Sequence, residues 1–194
     1  MRWFGIILLM VILASCGTGP VETTPTTRQE AATEAQPTVD APELADMGSA
    51  PPIEGDVWLN VDQPLRWQEL RGQVVLVEMW TFGCINCRRV VPHLREWHER
   101  YADQGLVIIG NHYPEFNFEK DLGNLKGAVQ ELKIEYPVVQ DNDRLNWGRY
   151  NNHFWPTLYL VDKEGNLRYQ HIGEGAYEVT ERAIQSLLAE PSTG

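Results

Sequence analysis

Cys84 and Cys87, separated by Ile85-Asn86, are the residues whose type and spacing could do chemistry in this chain. Two intervening residues in the first turn of a helix bring two sulfurs within disulfide reach. The pair follows an apolar run, residues 74–79, that reads as a buried strand, and it precedes an amphipathic helical pattern. A C-x-x-C at such a junction, inside a βαβ pattern, marks a thiol–disulfide redox site. Cys84 falls at the helix start, where unpaired N–H groups and the positive end of the dipole favour thiolate. That lowers its pKa below the free value of about 8.5 and makes it the candidate nucleophile. Cys87, one turn further in, is the thiol placed to resolve a mixed disulfide. A purely structural disulfide is the weaker reading, because closing so small a loop contributes little entropy. Zinc would need further ligands, and no second C-x-x-C or close His pair supplies them. Glu78 interrupts the apolar strand before the pair. It reads either as a buried acid near the sulfurs, with a raised pKa, or as a surface glutamate at a strand edge.

The elements that must position this pair follow from periodicity. Residues 57–60 and 65–67, with Asp62-Gln63-Pro64 between them, predict a leading β-hairpin. Leu70-Arg71-Gly72-Gln73 is a turn into the central strand. Val90, Val91, Leu94, Trp97 and Tyr101 recur at helical spacing, with Pro92 expected to kink that helix. Residues 107–109 form a second buried strand. Phe118, Leu122, Leu125, Val129 and Leu132 predict another helix, which Gly123 and Gly127 each weaken by about 1 kcal/mol. Residues 138–139 are a short strand, and Asp141-Asn142-Asp143 is a turn or helix cap. Residues 157–161 and 167–172 pair around the turn Asp162-Lys163-Glu164-Gly165-Asn166. Val179, Ala183, Ile184, Leu187 and Leu188 mark a last helix, stopped near Pro191. Parallel strands joined by helices, then a closing hairpin, predict a three-layer α/β sandwich.

A chain of 194 residues holds one domain plus appendages, and a net charge of -11 argues against a nucleic-acid partner. Three cysteines exclude a disulfide-stapled scaffold. Arg2 is followed by an apolar run, residues 3–14, that fits a secretory signal. It is shorter than the roughly 20 residues that span a bilayer. It ends in Leu13-Ala14-Ser15-Cys16, which resembles the bacterial lipobox. The resemblance implies that residues 1–15 are a signal peptide and that acyl chains on Cys16 hold the protein to a membrane. An ordinary signal cut at small residues would leave Cys16 incidental. Residues 17–52 are rich in Thr, Pro, Ala and Glu, with Arg28 the single basic residue. Such a segment buries too little apolar surface to offset its ordering entropy. Residues 16–52 therefore read as a lipidated cysteine and disordered tether, and residues 53–194 as the folded domain.

With the cysteine pair after the first long strand, the pattern resembles a thioredoxin-like fold. The leading hairpin and an inserted helix–strand unit over residues 118–139 resemble its TlpA-like branch. Trp80-Thr81-Phe82-Gly83-Cys84-Ile85-Asn86-Cys87, Pro114-Glu115-Phe116, Tyr136-Pro137-Val138-Val139-Gln140-Asp141-Asn142-Asp143 and Phe154-Trp155-Pro156 carry a closer likeness. They are similar to segments of the thioredoxin-like domain of DipZ-type cytochrome c biogenesis proteins. The likeness spans nearly all of residues 53–188. It implies an extracytoplasmic thiol–disulfide oxidoreductase that needs no cofactor beyond a redox-active Cys84–Cys87 disulfide. It implies substrates among exported proteins, such as apocytochrome c, and a membrane-embedded thiol electron donor on a separate chain. It implies a cis-proline at Pro156 facing the disulfide, which leaves the backbone around Trp155 to pair with an extended substrate segment. It also implies that Glu78 is the buried acid that relays the Cys87 proton, although the family usually has Asp there. Trp80, Thr81 and Phe82 are expected to form a collar around the sulfurs that shapes partner binding.

Two other activities fit parts of the pattern. Thr81-Phe82-Gly83-Cys84 imitates the T-x-x-C of peroxiredoxins, which points to a thiol peroxidase, but Val77 stands where those sites need a proline. A non-catalytic copper carrier would use Cys84, Cys87 and His153, although the copper-delivery proteins of this superfamily use C-x-x-x-C. Arg88 and Arg89 either lower the thiol pKa or form a solvated face. His93, His98, His112 and His171 read as structural.

Overall fold

The computed structural model describes Pro42 and residues 44–191. The expected signal peptide, Cys16 and most of the tether lie outside the described residues.

The strands are β1 (Trp58–Leu59), β2 (Val74–Trp80), β3 (Leu106–His112), β4 (Val138–Gln140), β5 (Thr157–Val161) and β6 (Leu167–Ile172). The helices are α1 (Ile85–Tyr101), α2 (Leu122–Glu131), α3 (Leu145–Arg149) and α4 (Tyr177–Ala189). The strands form one sheet in the order β1-β4-β3-β2-β5-β6. β2 runs parallel to β3 and β3 parallel to β4, while β5 lies antiparallel to β2 and to β6. The parallel crossovers and the closing hairpin are thus formed as the periodicity requires.

β2 is buried along its whole length because both faces of the sheet are covered. Its side chains alternate between two cores, as the period of a strand demands. Val74, Leu76 and Trp80 pack with Val90, Val91 and Leu94 of α1, with Leu125 of α2 and with Ile184 of α4. Val75, Val77 and Met79 pack on the other face with Ile53, Leu70, Trp147 and Tyr150. This parity puts Glu78 on the α1 face. α1 continues through Pro92 for all of its 17 residues.

Three expectations need correcting. The leading hairpin does not form. β1 pairs antiparallel with Val138 and Val139 at the sheet edge, and Trp67–Leu70 closes as a 3-10 turn. Leu65 and Trp67 bury their apolar surface against the second core instead of opposite residues 57–60. Asn60, at φ 61, turns the chain away and donates to the carbonyls of Ile134 and Tyr136. Second, Phe118 does not join the apolar face of α2. It sits in a separate 3-10 turn, Asn117–Lys120, and is 54% exposed. Asp121 caps α2 beyond that turn by accepting the Asn124 N–H at 2.8 Å. Third, the folded body begins before Ile53. The Met47 and Ala50 N–H groups donate to Leu167 and Gly165, and the Gly48 carbonyl accepts from Leu167. Small residues at 48–50 let the chain lie against the β5–β6 turn, a local property that the average composition of residues 17–52 hides.

Candidate active site

Cys84 is the N-cap of α1, with extended backbone at φ -76 and ψ 117. Its sulfur takes the place of the usual capping oxygen and accepts the N–H of Cys87 at 3.3 Å. Both cysteines are free thiols, Cys84 partly exposed and Cys87 fully buried. The Cys87 thiol donates to Cys84, and the N–H groups of Cys87 and Asn86 add to it. Together they hold the Cys84 pKa down at about 6, against the opposing effects of burial and of the Glu115 carboxylate. Burial, the bond to Cys84 and the charge of Glu78 push the Cys87 thiol far above its ordinary value. Arg88 pairs with Glu131 and Arg89 with Glu174 at 3.1 Å, so these cations form a paired surface face. The low pKa of Cys84 comes from hydrogen bonds.

Glu78 is completely buried. Tyr136 Oη donates to its Oε2 at 3.4 Å, and its Oε1 has no partner among the described residues. Burial raises its pKa well above the usual carboxylate range. The Tyr136 bond opposes that shift, and the negative charge of Cys84 adds to it. The edge-strand reading of Glu78 is therefore wrong: β2 is central, with β3 on one side and β5 on the other.

The collar is built differently from the expectation. Trp80 is 0% exposed and cannot touch a partner. It shares the parity of Leu76 and Glu78, and its indole lies over Gly110, where a Cβ would stand 2.9 Å from Nε1. Thr81 is also fully buried. Its hydroxyl donates to Glu119 Oε1, so the 3.2 Å contact with His112 Nε2 must be donated by the imidazole. Burial lowers the His112 pKa to about 4, so the ring is neutral at physiological pH. Phe82 alone of the three reaches the surface. Its ring stacks on His112 at 5.3 Å and meets Phe118 edge-on at 5.8 Å.

The Trp155–Pro156 peptide bond is cis, and Pro156 is buried. Trp155 is half-buried and donates from Nε1 to the Tyr113 carbonyl at 3.1 Å, with its ring against Trp147 at 4.4 Å. Trp147 is held in turn by Asp141, whose carboxylate accepts the N–H groups of Leu145, Asn146 and Trp147 at the start of α3. The expected Asp141 cap thus orients the tryptophan that precedes the cis-proline. His153 is exposed and touches Phe154. Cys84, Cys87 and His153 are not brought together: among the described residues the one cluster able to hold a metal ion is Asp162, Glu164 and Glu190.

A model of the AhpC/TSA family matches residues 48–170. The chain belongs to that family. It is 41% identical over 157 residues to the protein DipZ of Mycobacterium tuberculosis, a match that covers 79% of this chain and 23% of DipZ. The chain therefore spans about a quarter of the length of that relative. It is 28% identical over 141 residues to the thiol-disulfide oxidoreductase YkuV of Bacillus subtilis, covering 72% of this chain and 94% of YkuV. Among solved structures it is similar to a thiol-disulfide isomerase from Corynebacterium glutamicum, with a TM-score of 0.65 and 28% identity over 73% of this chain and 98% of that one. This AhpC/TSA protein has a thioredoxin-like fold, with Cys84–Cys87 as its C-x-x-C pair.

Two residues of the site escape sequence reasoning. Glu119 is 0% exposed and accepts the N–H groups of Gly83 (2.8 Å), Glu115 (2.7 Å) and Phe116 (2.7 Å) besides the Thr81 hydroxyl. His112 completes the chain through Thr81. Half of a capping box is legible at Glu119, three residues after the N-cap Phe116. Its reach to Gly83, 36 positions away, has no local signal.

Proposed function

We propose that this protein works outside the cytoplasm, held to a membrane through acylated Cys16, and reduces disulfides in exported proteins such as apocytochrome c. A membrane-embedded thiol donor on a separate chain would return its electrons. The order of residues 2–16 and the motifs shared with DipZ-type proteins support this reading. The reductive chemistry rests on one observation: Cys84 is partly exposed with a pKa of about 6, whereas Cys87 is buried and pushed up. One sulfur is a thiolate at neutral pH and the other is a protected thiol. A nucleophile near 6 lies closer to the roughly 7 of thioredoxin than to the roughly 3.5 of the oxidant DsbA.

The Cys84 thiolate attacks a substrate sulfur, a mixed disulfide forms, and the first substrate thiolate leaves. Cys84 has then lost its negative charge, which removes one of the causes that raise Glu78. The Glu78 carboxylate becomes easier to form and can take the proton of Cys87. Cys87 attacks Cys84, the second substrate thiolate leaves, and two electrons have passed to the substrate. The backbone N–H and C=O of Trp155 make no hydrogen bond among the described residues, which leaves them to pair with the substrate segment.

The test is the reduction potential of the Cys84–Cys87 couple, set against glutathione, together with insulin reduction. A potential near the roughly -270 mV of thioredoxin supports the reading, and one near the roughly -120 mV of DsbA overturns the direction. Oxidation of Cys84 by hydrogen peroxide faster than its exchange with protein disulfides would make the protein a peroxidase instead. Binding of Cu(I) without any disulfide exchange would make it a carrier.

A further inference from the structure

The Glu119 carboxylate joins two loops that the chain otherwise leaves separate. One oxygen holds Thr81 and Gly83, immediately before Cys84, and the other holds the N–H groups of Glu115 and Phe116. A glycine is required at 83 for this contact, because a Cβ there would stand 2.5 Å from Glu119 Oε1. The clasp fixes what borders the sulfur. Phe116 and Phe118 stack at 5.9 Å, more than half exposed, and Phe118 continues onto Phe82. The same Cβ at Gly83 would lie 3.6 Å from Phe118 Cζ, so this apolar surface runs up to Cys84. Exposed stacked aromatics contribute little to folding but are well suited to a partner's apolar side chain. Charge adds a second preference. Arg88 and Arg89 are neutralised by Glu131 and Glu174, while Glu115, whose charge is felt at Cys84, has no ion-pair partner among the described residues.

We propose that Glu119 is a positioning residue that sets the specificity of Cys84. It holds the loop over residues 114–118 so that Phe82, Phe118 and Phe116 form a shelf beside the sulfur. The occupant of that shelf is an extended, cysteine-bearing segment of a partner protein, with an apolar side chain next to its cysteine and a basic residue facing Glu115. The proposal rests on the disulfide-exchange reading above and names which sequences around a partner cysteine the site prefers.

The experiment uses the reduced full chain and the symmetric disulfide dimers of two peptides, Lys-Leu-Cys-Leu-Lys and Glu-Ser-Cys-Ser-Glu. Single-turnover formation of the Cys84–Cys87 disulfide is followed by tryptophan fluorescence against peptide concentration. The wild type is expected to prefer the apolar, basic peptide by about tenfold or more, mainly through a lower half-saturation concentration. In Glu119→Gln one end of the clasp must face an amide NH2, which meets either the Gly83 N–H or those of Glu115 and Phe116, so the two loops are no longer joined and the loop over residues 114–118 is released. The preference is expected to fall to about twofold or less. The alkylation midpoint of Cys84 is expected to drop as Glu115 moves away. Phe116→Ser with Phe118→Ser should lose the preference with Glu119 intact, and this variant decides the matter if Glu119→Gln does not fold. Equal slowing of both peptides in Glu119→Gln would show a merely structural residue and overturn the proposal. So would a wild type that reduces both peptides alike. A wild type that reduces neither overturns the underlying exchange reading, and the proposal with it.

Discussion

Tyr136 and Glu78, 58 positions apart in the chain, meet on the α1 face of the sheet: Tyr136 Oη donates to Glu78 Oε2 at 3.4 Å, and both side chains are fully buried. One long hydrogen bond does not compensate a buried carboxylate whose other oxygen has no partner. The folded protein therefore favours the neutral acid. Between the unfolded pKa near 4.5 and the raised folded value, the folded chain keeps a proton that the unfolded chain has lost. Stability is fully present below that window and falls as pH rises through it, by about 1.4 kcal/mol per pH unit. Glu78→Gln removes this loss. Its urea midpoint should match the wild type near pH 4 and exceed it progressively towards pH 8.

The same substitution tests the proton relay. Glutamine keeps the shape but takes no proton from Cys87, so resolution of the mixed disulfide should slow by about 10²–10⁴-fold, the range of general base catalysis. A pH–rate profile of that step, measured for both proteins, checks it. An unchanged profile would assign the proton to water.

The pair Cys84–Cys87, the strand before it and the helix after it are legible in sequence because each depends on residues adjacent in the chain. Glu78 is legible as an anomaly in an apolar strand, although only the central position of β2 shows that it is buried. Trp80 is expected at the surface because its motif surrounds the cysteines, whereas strand parity turns it into the core. The missing hairpin has a related cause. Residues 57–60 carry the right pattern for a strand, but β4, far along the chain, offers the edge that they take. Glu119 reads as an ordinary polar residue near a helix start, and its function exists only where the loop over residues 114–118 meets Gly83.

Asp141 gives a stability prediction. Its carboxylate is 4% exposed and satisfies three backbone N–H groups at the start of α3, together with the side chain of Asn111 at 3.2 Å. Asp141→Ala loses a helix cap and leaves buried donors unpaired, at a cost of about 2–4 kcal/mol. Trp147 and Trp155 should loosen together, read as a shift in tryptophan emission under conditions where the variant remains folded.

The tether proposal makes its own prediction. Cys16→Ala should release the protein from the membrane fraction or leave an uncleaved precursor, because acyl chains need that sulfur. Membrane fractionation and the mass of the mature N-terminus check it. A wild type found free of the membrane, with no acyl mass, would end the anchor proposal and leave the redox site untouched.

The last prediction separates the causes of the low Cys84 pKa. The leading one is the hydrogen bond from the Cys87 thiol, ahead of the amide N–H groups. In the unfolded chain neither operates, and the thiol titrates near its free value of about 8.5. The thiolate therefore stabilises the reduced fold above that pH, and the contribution is lost as pH falls through about 6. Wild-type alkylation by iodoacetamide, followed by peptide mass, should show a midpoint at about 6 for Cys84, with Cys87 almost inert. Cys87→Ala removes the donor and keeps the backbone, so its Cys84 midpoint should climb towards the free value. Cys87→Ser restores an O–H donor at the same place, and its midpoint should return to near that of the wild type. If the alanine variant still titrates with the wild type, the amides and the helix terminus alone hold the thiolate, and Cys87 acts only in the second step of the exchange.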